Sequence, residues 1–520
     1  MTDNRDWIEL PAAPAARRRR RRRWIGLGTV VIVLAASAVW FATVAIRTCG
    51  SLGSGVYEVD GECVGVTDGS YVFDTAFEEV QEKIARENAQ VRANSSSYVT
   101  VALLDPLTPT QMSALPAEQV RNRLEGAYTA LRRVNSTSVA GDSSPQIQLV
   151  LANQGSIENH QWQRVLGQLV EMTEQDNPLV AVIGLGVSTE QTRRRAEDLS
   201  RHGIPMVGAV LTADGLDYDH IPGLIKTSPS NRHYVEALRG YVNSTGLDSA
   251  IMVRDSNSDS GVDLFTQTLE DEFGKQMEDI IEFEPQQFTG MAIPTDADAG
   301  LFANVREAIC ASAADGLEVV FYAGREVDLG GFLESLRYRS CLRARPLTIL
   351  TAGSDLGAIL RGREQEMRDA NLTVVFAGTV DAEGWGQNAP GTPEDYADFL
   401  SKFQGQGFDP GHLDDAGAIM MHDALLTAAR AVRLAAPEGS ASSPTARDVR
   451  SQLTNLNGTL HTVRGASGTL SFSSRSPGAG NPLGKPVPVL QYPQPSDALS
   501  RQVGPLYRVP CLTLTSCPEP

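Results

Sequence analysis

From Tyr98 onward, short apolar runs rich in β-branched residues alternate with stretches whose apolar residues recur every three or four positions. The first kind predicts strands, over Val99–Leu104, Ile147–Leu151, Val180–Ile183, Met206–Val210, Ala250–Val253, Glu318–Tyr322, Thr348–Leu350 and Thr373–Phe376. The second predicts helices between and after them, over Ala117–Val134, Gln161–Glu171, Thr189–His202, Arg232–Asn243, Asp263–Phe273, Leu301–Ala313, Gly331–Arg339, Pro393–Phe403 and Ala416–Leu434. Such alternation belongs to parallel sheets with crossover helices, and so many units fit two doubly wound sheets better than one. After Ala435 the helical pattern gives way to Ser, Pro and Gly with short strand-like pieces, Thr469–Phe472 and Val487–Leu490.

Two patterns precede this alternation. Trp24–Ile46 carries no charge, and as a helix it would span about 35 Å, enough for a hydrocarbon core of about 30 Å. Arg17–Arg23 lie directly before it, and since basic flanks stay cytoplasmic, residues 1–23 are expected inside and residues 47–520 outside the cell membrane. The alternative is a cleaved signal peptide, disfavoured because the apolar stretch exceeds a usual signal core. Next, within residues 47–97, come a Gly/Ser-rich loop and a helix over Asp74–Arg92 whose Phe77, Val80, Ile84 and Val91 form an apolar stripe that must lie on something.

Composition narrows the function. The formal net charge is −18; residues 1–23 hold eight Arg against three acids, so the remainder carries −23. A body that acidic would repel a phosphate backbone, which excludes nucleic acid as a partner. All six cysteines lie beyond the apolar segment, and their proximity pairs Cys49 with Cys63, Cys310 with Cys341 and Cys511 with Cys517 as disulfides of an oxidising compartment. No metal-ligand spacing is present, and neither metal nor cofactor is expected. Gly184-Leu185-Gly186 starts a dinucleotide fingerprint but has Thr189 where the third glycine belongs. His422 beside Asp423 lies in an apolar helical run and is read as packing, not as a base.

Residues 177–216 read NPLVAVIGLGVSTEQTRRRAEDLSRHGIPMVGAVLTADGL. This closely resembles the first-lobe signature of the type I periplasmic binding proteins, the family of leucine/isoleucine/valine-binding proteins and receptor ligand-binding regions. A buried strand ends in Gly, a Ser/Thr opens a helix, and a second strand follows Gly-Ile-Pro and ends before a Thr. VALLDPLT (101–108), IPGLIKTSPSNRHYVEAL (221–238), LDSAIMVRDSNSDSGVDL (247–264), EVVFYAGREVDLGGFL (318–333) and MMHDALLTAARAV (420–432) fall in the family's order. The resemblance spans 98–492 and implies an α/β fold of two hinged lobes. The expected lobes are 98–225 with 346–440 and 226–345 with 441–492, crossing near Ile225, Arg345 and Gly439, followed by a tail, 493–520.

At the junction of a parallel strand and the next helix, unpaired N–H groups and nearby hydroxyls can hold an anion. Ser188, Thr189 and Thr212 sit at two such junctions; Ser188 or Thr189 capping the helix, and Thr212 opening a turn, are the structural alternatives. The resemblance places an amine-binding acid at Asp328, with Glu326 close by, against the alternative of a solvated helix-start acid. It also puts Val210 and Leu211 where the family has a small pair, and Ser260 where it has an aromatic. These departures imply a ligand other than a standard branched-chain amino acid. The expected function is therefore an extracytoplasmic solute-binding protein for a small polar, amino-acid-like ligand, serving ABC-type transport with a membrane permease. The alternatives are a sensor or scaffold ectodomain acting through partner membrane proteins and, more remotely, a nucleotide-dependent enzyme.

Overall fold

The computed structural model of the protein describes residues 49, 55–95, 97–108, 115–156, 162–290, 299–341, 346–354, 356–436, 443–473, 475, 478–496, 498 and 500–511. The tail 1–23, the apolar segment 24–46 and Cys517 lie outside the described residues. Among the described residues no helix is long and apolar enough to cross a membrane. Cys49–Cys63 and Cys310–Cys341 are disulfides, and Cys511 is disulfide-bonded as well.

The chain builds two lobes, each around one sheet. In the first lobe the strands are β1 (Val56–Val59), β2 (Glu62–Thr67), β3 (Tyr98–Asp105), β4 (Gln146–Asn153), β5 (Leu179–Gly184), β6 (Met206–Gly208) and β7 (Leu224–Lys226), in the order β1-β2-β4-β3-β5-β6-β7. From β4 to β7 neighbours run parallel, and helices on both faces explain why β3 and β5 are almost wholly buried. The helix Ala117–Ser136 meets Gly417–Ala435 at backbone contact; a Cβ on Gly126 would lie 1.9 Å from the Ala418 carbonyl oxygen. The second sheet holds β8 (Ala250–Asp255), β9 (Ile281–Phe288), β10 (Val319–Ala323), β11 (Leu347–Ala352), β12 (Leu372–Ala377) and an antiparallel strand, Val489–Tyr492, at the β12 edge.

Several sequence expectations need correction. β11 pairs with β10, and β12 with β11, in the second sheet, so the second passage between lobes lies between Ala377 and Asp381 and not near Arg345. Periodicity marks a buried strand but does not say which sheet it joins. The chain then stays in the first lobe well past Gly439, because Val449, Leu453, Leu470 and Phe472 pack in one core with Val99 and Ile183. It returns at Gly484-Lys485, after which Val487, Val489 and Val509 enter the second lobe's core. The tail beyond 492 is thus partly lobe, with Tyr507–Arg508 paired to Pro486–Val487. Residues 55–95, expected as a segment ahead of the main domain, belong to the first lobe: β1 and β2 extend its sheet, and Phe77, Val80 and Ile84 of the apolar stripe lie in its core. The edge strand β9 carries Glu282, Glu284 and Pro285, a polar pattern that protects an edge and hides a strand from periodicity.

Candidate functional site

Between the lobes the carboxyl ends of β5 and β6 face those of β10 and β11 across a cleft. After β5, Gly184, Leu185 and Gly186 all have positive φ, at +91°, +69° and +73°, and the Asp105 carboxylate accepts from the Gly186 N–H at 2.7 Å. This tight turn delivers Val187 and Ser188 to the cleft wall. Thr189 is the N-cap of the helix Glu190–Arg201, its Oγ1 accepting from the Thr192 N–H. The Ser188 Oγ accepts from the Thr212 N–H at 3.0 Å and the Ala213 N–H at 3.2 Å. With its acceptor capacity engaged there, the Ser188 hydroxyl can only donate to a guest.

Ser188, Val210 and Thr212 line the cleft, joined from the first lobe by Arg123. Phe265, Arg325 and Glu326 face them from the second lobe. Arg123, 2% exposed, donates through Nη1 to Asp105 Oδ2 and to the Gly186 carbonyl, both at 3.4 Å. Its Nε is buried with no hydrogen-bond partner among the described residues. Arg325 is held by both oxygens of Asp263 and reaches across to the Ser188 carbonyl at 3.3 Å. Burial disfavours the charge on Arg325, but Asp263 and Glu326 outweigh it and push its pKa above the ordinary arginine value.

The lobes are shut in this structure. The Glu190 N–H donates to the Val262 carbonyl at 3.0 Å and the Phe265 N–H to the Ser188 carbonyl at 3.2 Å. Farther along the seam Arg361 pairs with Asp414 at 2.9 Å. The space left in the cleft is about 20 Å³, room for a water molecule but not for an amino acid. A larger guest therefore requires the seam to part.

Four expected residues do not line the cleft. Thr189 is committed to its cap, and Leu211 packs in the first lobe's core with Leu185 and Ala213. Ser260 is exposed and donates to the Asn257 carbonyl at 2.7 Å. Asp328 is fully buried under the Gly290 turn beside Asp255. On the helix Glu326–Arg337 it stands two residues from Glu326, roughly 200° around the axis at 3.6 residues per turn, so only one of the two faces the cleft. The arginines were not singled out from sequence. Arg325 lies two residues past the end of β10 and its position was a usable signal, whereas Arg123 lies mid-helix, where nothing in the local pattern sets it apart.

Neither a protein-family model nor a curated protein matches the sequence. Solved structures do match in fold. A solute-binding protein of an ABC transporter from Rhodopseudomonas palustris, in complex with p-hydroxybenzoic acid, superposes with a TM-score of 0.57 at 14% identity, over 80% of this chain and 98% of that one. An ABC transporter substrate-binding protein from Desulfitobacterium hafniense gives 0.53 at 14% identity, over 79% and 100%. A leucine-binding protein from Thermotoga maritima gives 0.52 at 14% identity, over 75% and 94%. At such identities the likeness is one of fold, the two-lobed α/β fold of type I periplasmic binding proteins.

Proposed function

We propose that this chain is an extracytoplasmic solute-binding protein that takes a small carboxylate-bearing solute, amino-acid-like in size, into the interlobe cleft. The observation that carries this is the buried Arg123 guanidinium, with Nε unpartnered, beside the Ser188 and Thr212 hydroxyls at the strand ends. An oxyanion placed there would meet a charge-assisted donor and two hydroxyls at once. Glu326 stands opposite for an amino group, and Phe265 offers an apolar surface. The guest would first bind the open first lobe, and closure would add the second lobe's contacts, so binding favours the shut form.

ABC transporter solute-binding proteins in complex with leucine, with 3,4-dihydroxybenzoic acid and with benzoate share the fold and support the reading. They are binders, and we read this chain as a binder too, delivering its solute to a membrane permease. The disulfides suit an oxidising exterior, and we propose that residues 24–46 anchor the protein with residues 1–23 inside. Thermal shift and calorimetry against amino acids, benzoates and their neutral amides test the reading. A true ligand at a hundredfold excess over its Kd raises stability by about 2.7 kcal/mol, and Arg123→Gln should weaken it roughly tenfold or more, the share of one charge-assisted bond. If carboxylates bind no better than their amides, or Arg123→Gln binds like wild type, the reading fails. The sensor or scaffold alternative draws on the small closed cleft, and it gains if no member of the panel shifts the melting curve.

A further inference from the structure

A second hollow, of about 300 Å³, opens along the same seam away from the solute cleft. Its walls are Arg361 from the second lobe, Glu383 and Gly386 from the short helix Ala382–Gly386, and Tyr396, Leu400 and Asp414 from the first lobe. Beside it lies a smaller hollow of about 20 Å³, which shares the walls Arg361, Glu383 and Asp414 and is lined also by Asp381, Phe376 and Tyr492. The larger volume is within the range of small-molecule sites.

The charges on these walls are unbalanced. Asp414 takes Arg361 at 2.9 Å, and Glu383 takes Arg501, which lies outside the hollow, at 3.0 Å. Asp381 is left over. It is 3% exposed, its Oδ1 accepts from the Gly384 N–H at 2.9 Å, and its Oδ2 is buried with no hydrogen-bond partner among the described residues. A buried carboxylate oxygen without a donor is costly, and the cost falls when a cationic N–H fills the place. A metal ion is a poor occupant: among the described residues no group of three or more His, Cys, Asp or Glu could hold one. Leu400, Leu413 and Pro410 also line the hollow, a surface that suits a carbon skeleton rather than a hydrated ion.

We propose that this hollow is a second ligand site, for a small organic ammonium whose N–H groups bond Asp381 and whose carbon body lies on Leu400 and Leu413. It stands independently of the reading of the solute cleft. Because Arg361 and Asp414 come from different lobes, an occupant also holds the seam shut.

The test is calorimetry of the full-length protein with benzylamine and n-butylamine, against benzyl alcohol and butyrate as matched controls. The amines are expected to bind and the controls not. Asp381→Asn keeps an acceptor for the Gly384 N–H, so the fold should survive, and it should weaken amine binding roughly tenfold or more. Gly386→Phe, at a position where an added Cβ meets nothing within 4 Å, should fill the hollow and block the amines without touching Asp381. Amines binding no better than the alcohol, or an Asp381→Asn protein that binds them like wild type, would overturn the proposal. An amine response lost in Glu326→Gln but kept in Asp381→Asn would place the guest in the solute cleft and overturn it equally.

Discussion

Asp423→Ala should be among the most damaging single substitutions in the first lobe, and its effect can be worked from the structure. Asp423 lies in the helix Gly417–Ala435 with no exposed surface. Its carboxylate is inserted into the turn between the strands Val463–Gly465 and Gly468–Leu470, accepting from the Ala466 N–H at 2.7 Å, the Ser467 N–H at 2.9 Å and the Ser467 hydroxyl. His422 Nδ1 lies 2.8 Å from its other side, and Lys485, at the third passage between lobes, reaches Ser467. Burial works against the Asp423 charge, but the bonds from His422 and Ser467 and the nearby Lys485 ammonium outweigh it and hold its pKa below the usual carboxylate value. Alanine would orphan three buried donors at about 1–3 kcal/mol each, a loss of roughly 5 kcal/mol, while asparagine keeps one acceptor and should lose about half. With an unfolding entropy of about 2.1 cal/mol/K per residue, that is about 5 °C in Tm if both lobes melt together, and about 10 °C if the first lobe melts alone. Calorimetric melting of the two variants reads this directly. A Tm within about 1 °C of wild type for Asp423→Ala would show that the hairpin and the passage are not held by this carboxylate.

Two further substitutions test neighbouring parts of the reasoning. Burial pulls the Lys485 pKa down to about 8 from the ordinary 10.5; the unfolded chain therefore binds the extra proton between pH 8 and 10.5, so this group's contribution to stability is lowest below pH 8 and rises with pH across that window, by roughly 3 kcal/mol in full. Denaturant melts of wild type and Lys485→Met at pH 7, 8 and 9.5 should show the rise in the first and a flatter profile in the second, and equal slopes would refute the assignment. Gly126→Ala should destabilise by about 3 kcal/mol through a clash with the Ala418 carbonyl, whereas Gly167→Ala, in a helix where an added Cβ meets nothing within 4 Å, should stabilise by about 0.5–1 kcal/mol; two shifts of the same sign in a melting comparison would contradict the helix contact.

Much of the architecture was legible because the parallel strands are buried on both faces. Val180–Ile183 and Thr373–Phe376 stand out as apolar or β-branched runs, and the structure extends each by one residue at either end. β9 escaped because an edge strand needs no such run. The assignment of strands to lobes failed at β11 and β12 for a different reason. A crossover helix returns its strand to whichever sheet the rest of the chain leaves open, and only the pairing of Leu347–Ala352 with Val319–Ala323 reveals the choice.

The solute cleft shows the same division between local and distant information. Ser188 and Thr212, read from strand ends, and Val210, read from the resemblance, all line the cleft, and the turn at Gly184–Gly186 aims Ser188. Asp328 was placed by resemblance, but a helix rotates its side chains by roughly 100° per residue, so a shift of two positions exchanges Asp328 for Glu326 at the wall. Arg123 could be found only in three dimensions: it reaches the cleft because Gly126, one turn farther along the same helix, lets Ala117–Ser136 settle against Gly417–Ala435 at backbone distance. The guanidinium offered to a guest thus depends on a glycine that lines no site. A side chain at 126 should therefore weaken solute binding as well as stability, by pushing the helix and Arg123 away from Ser188.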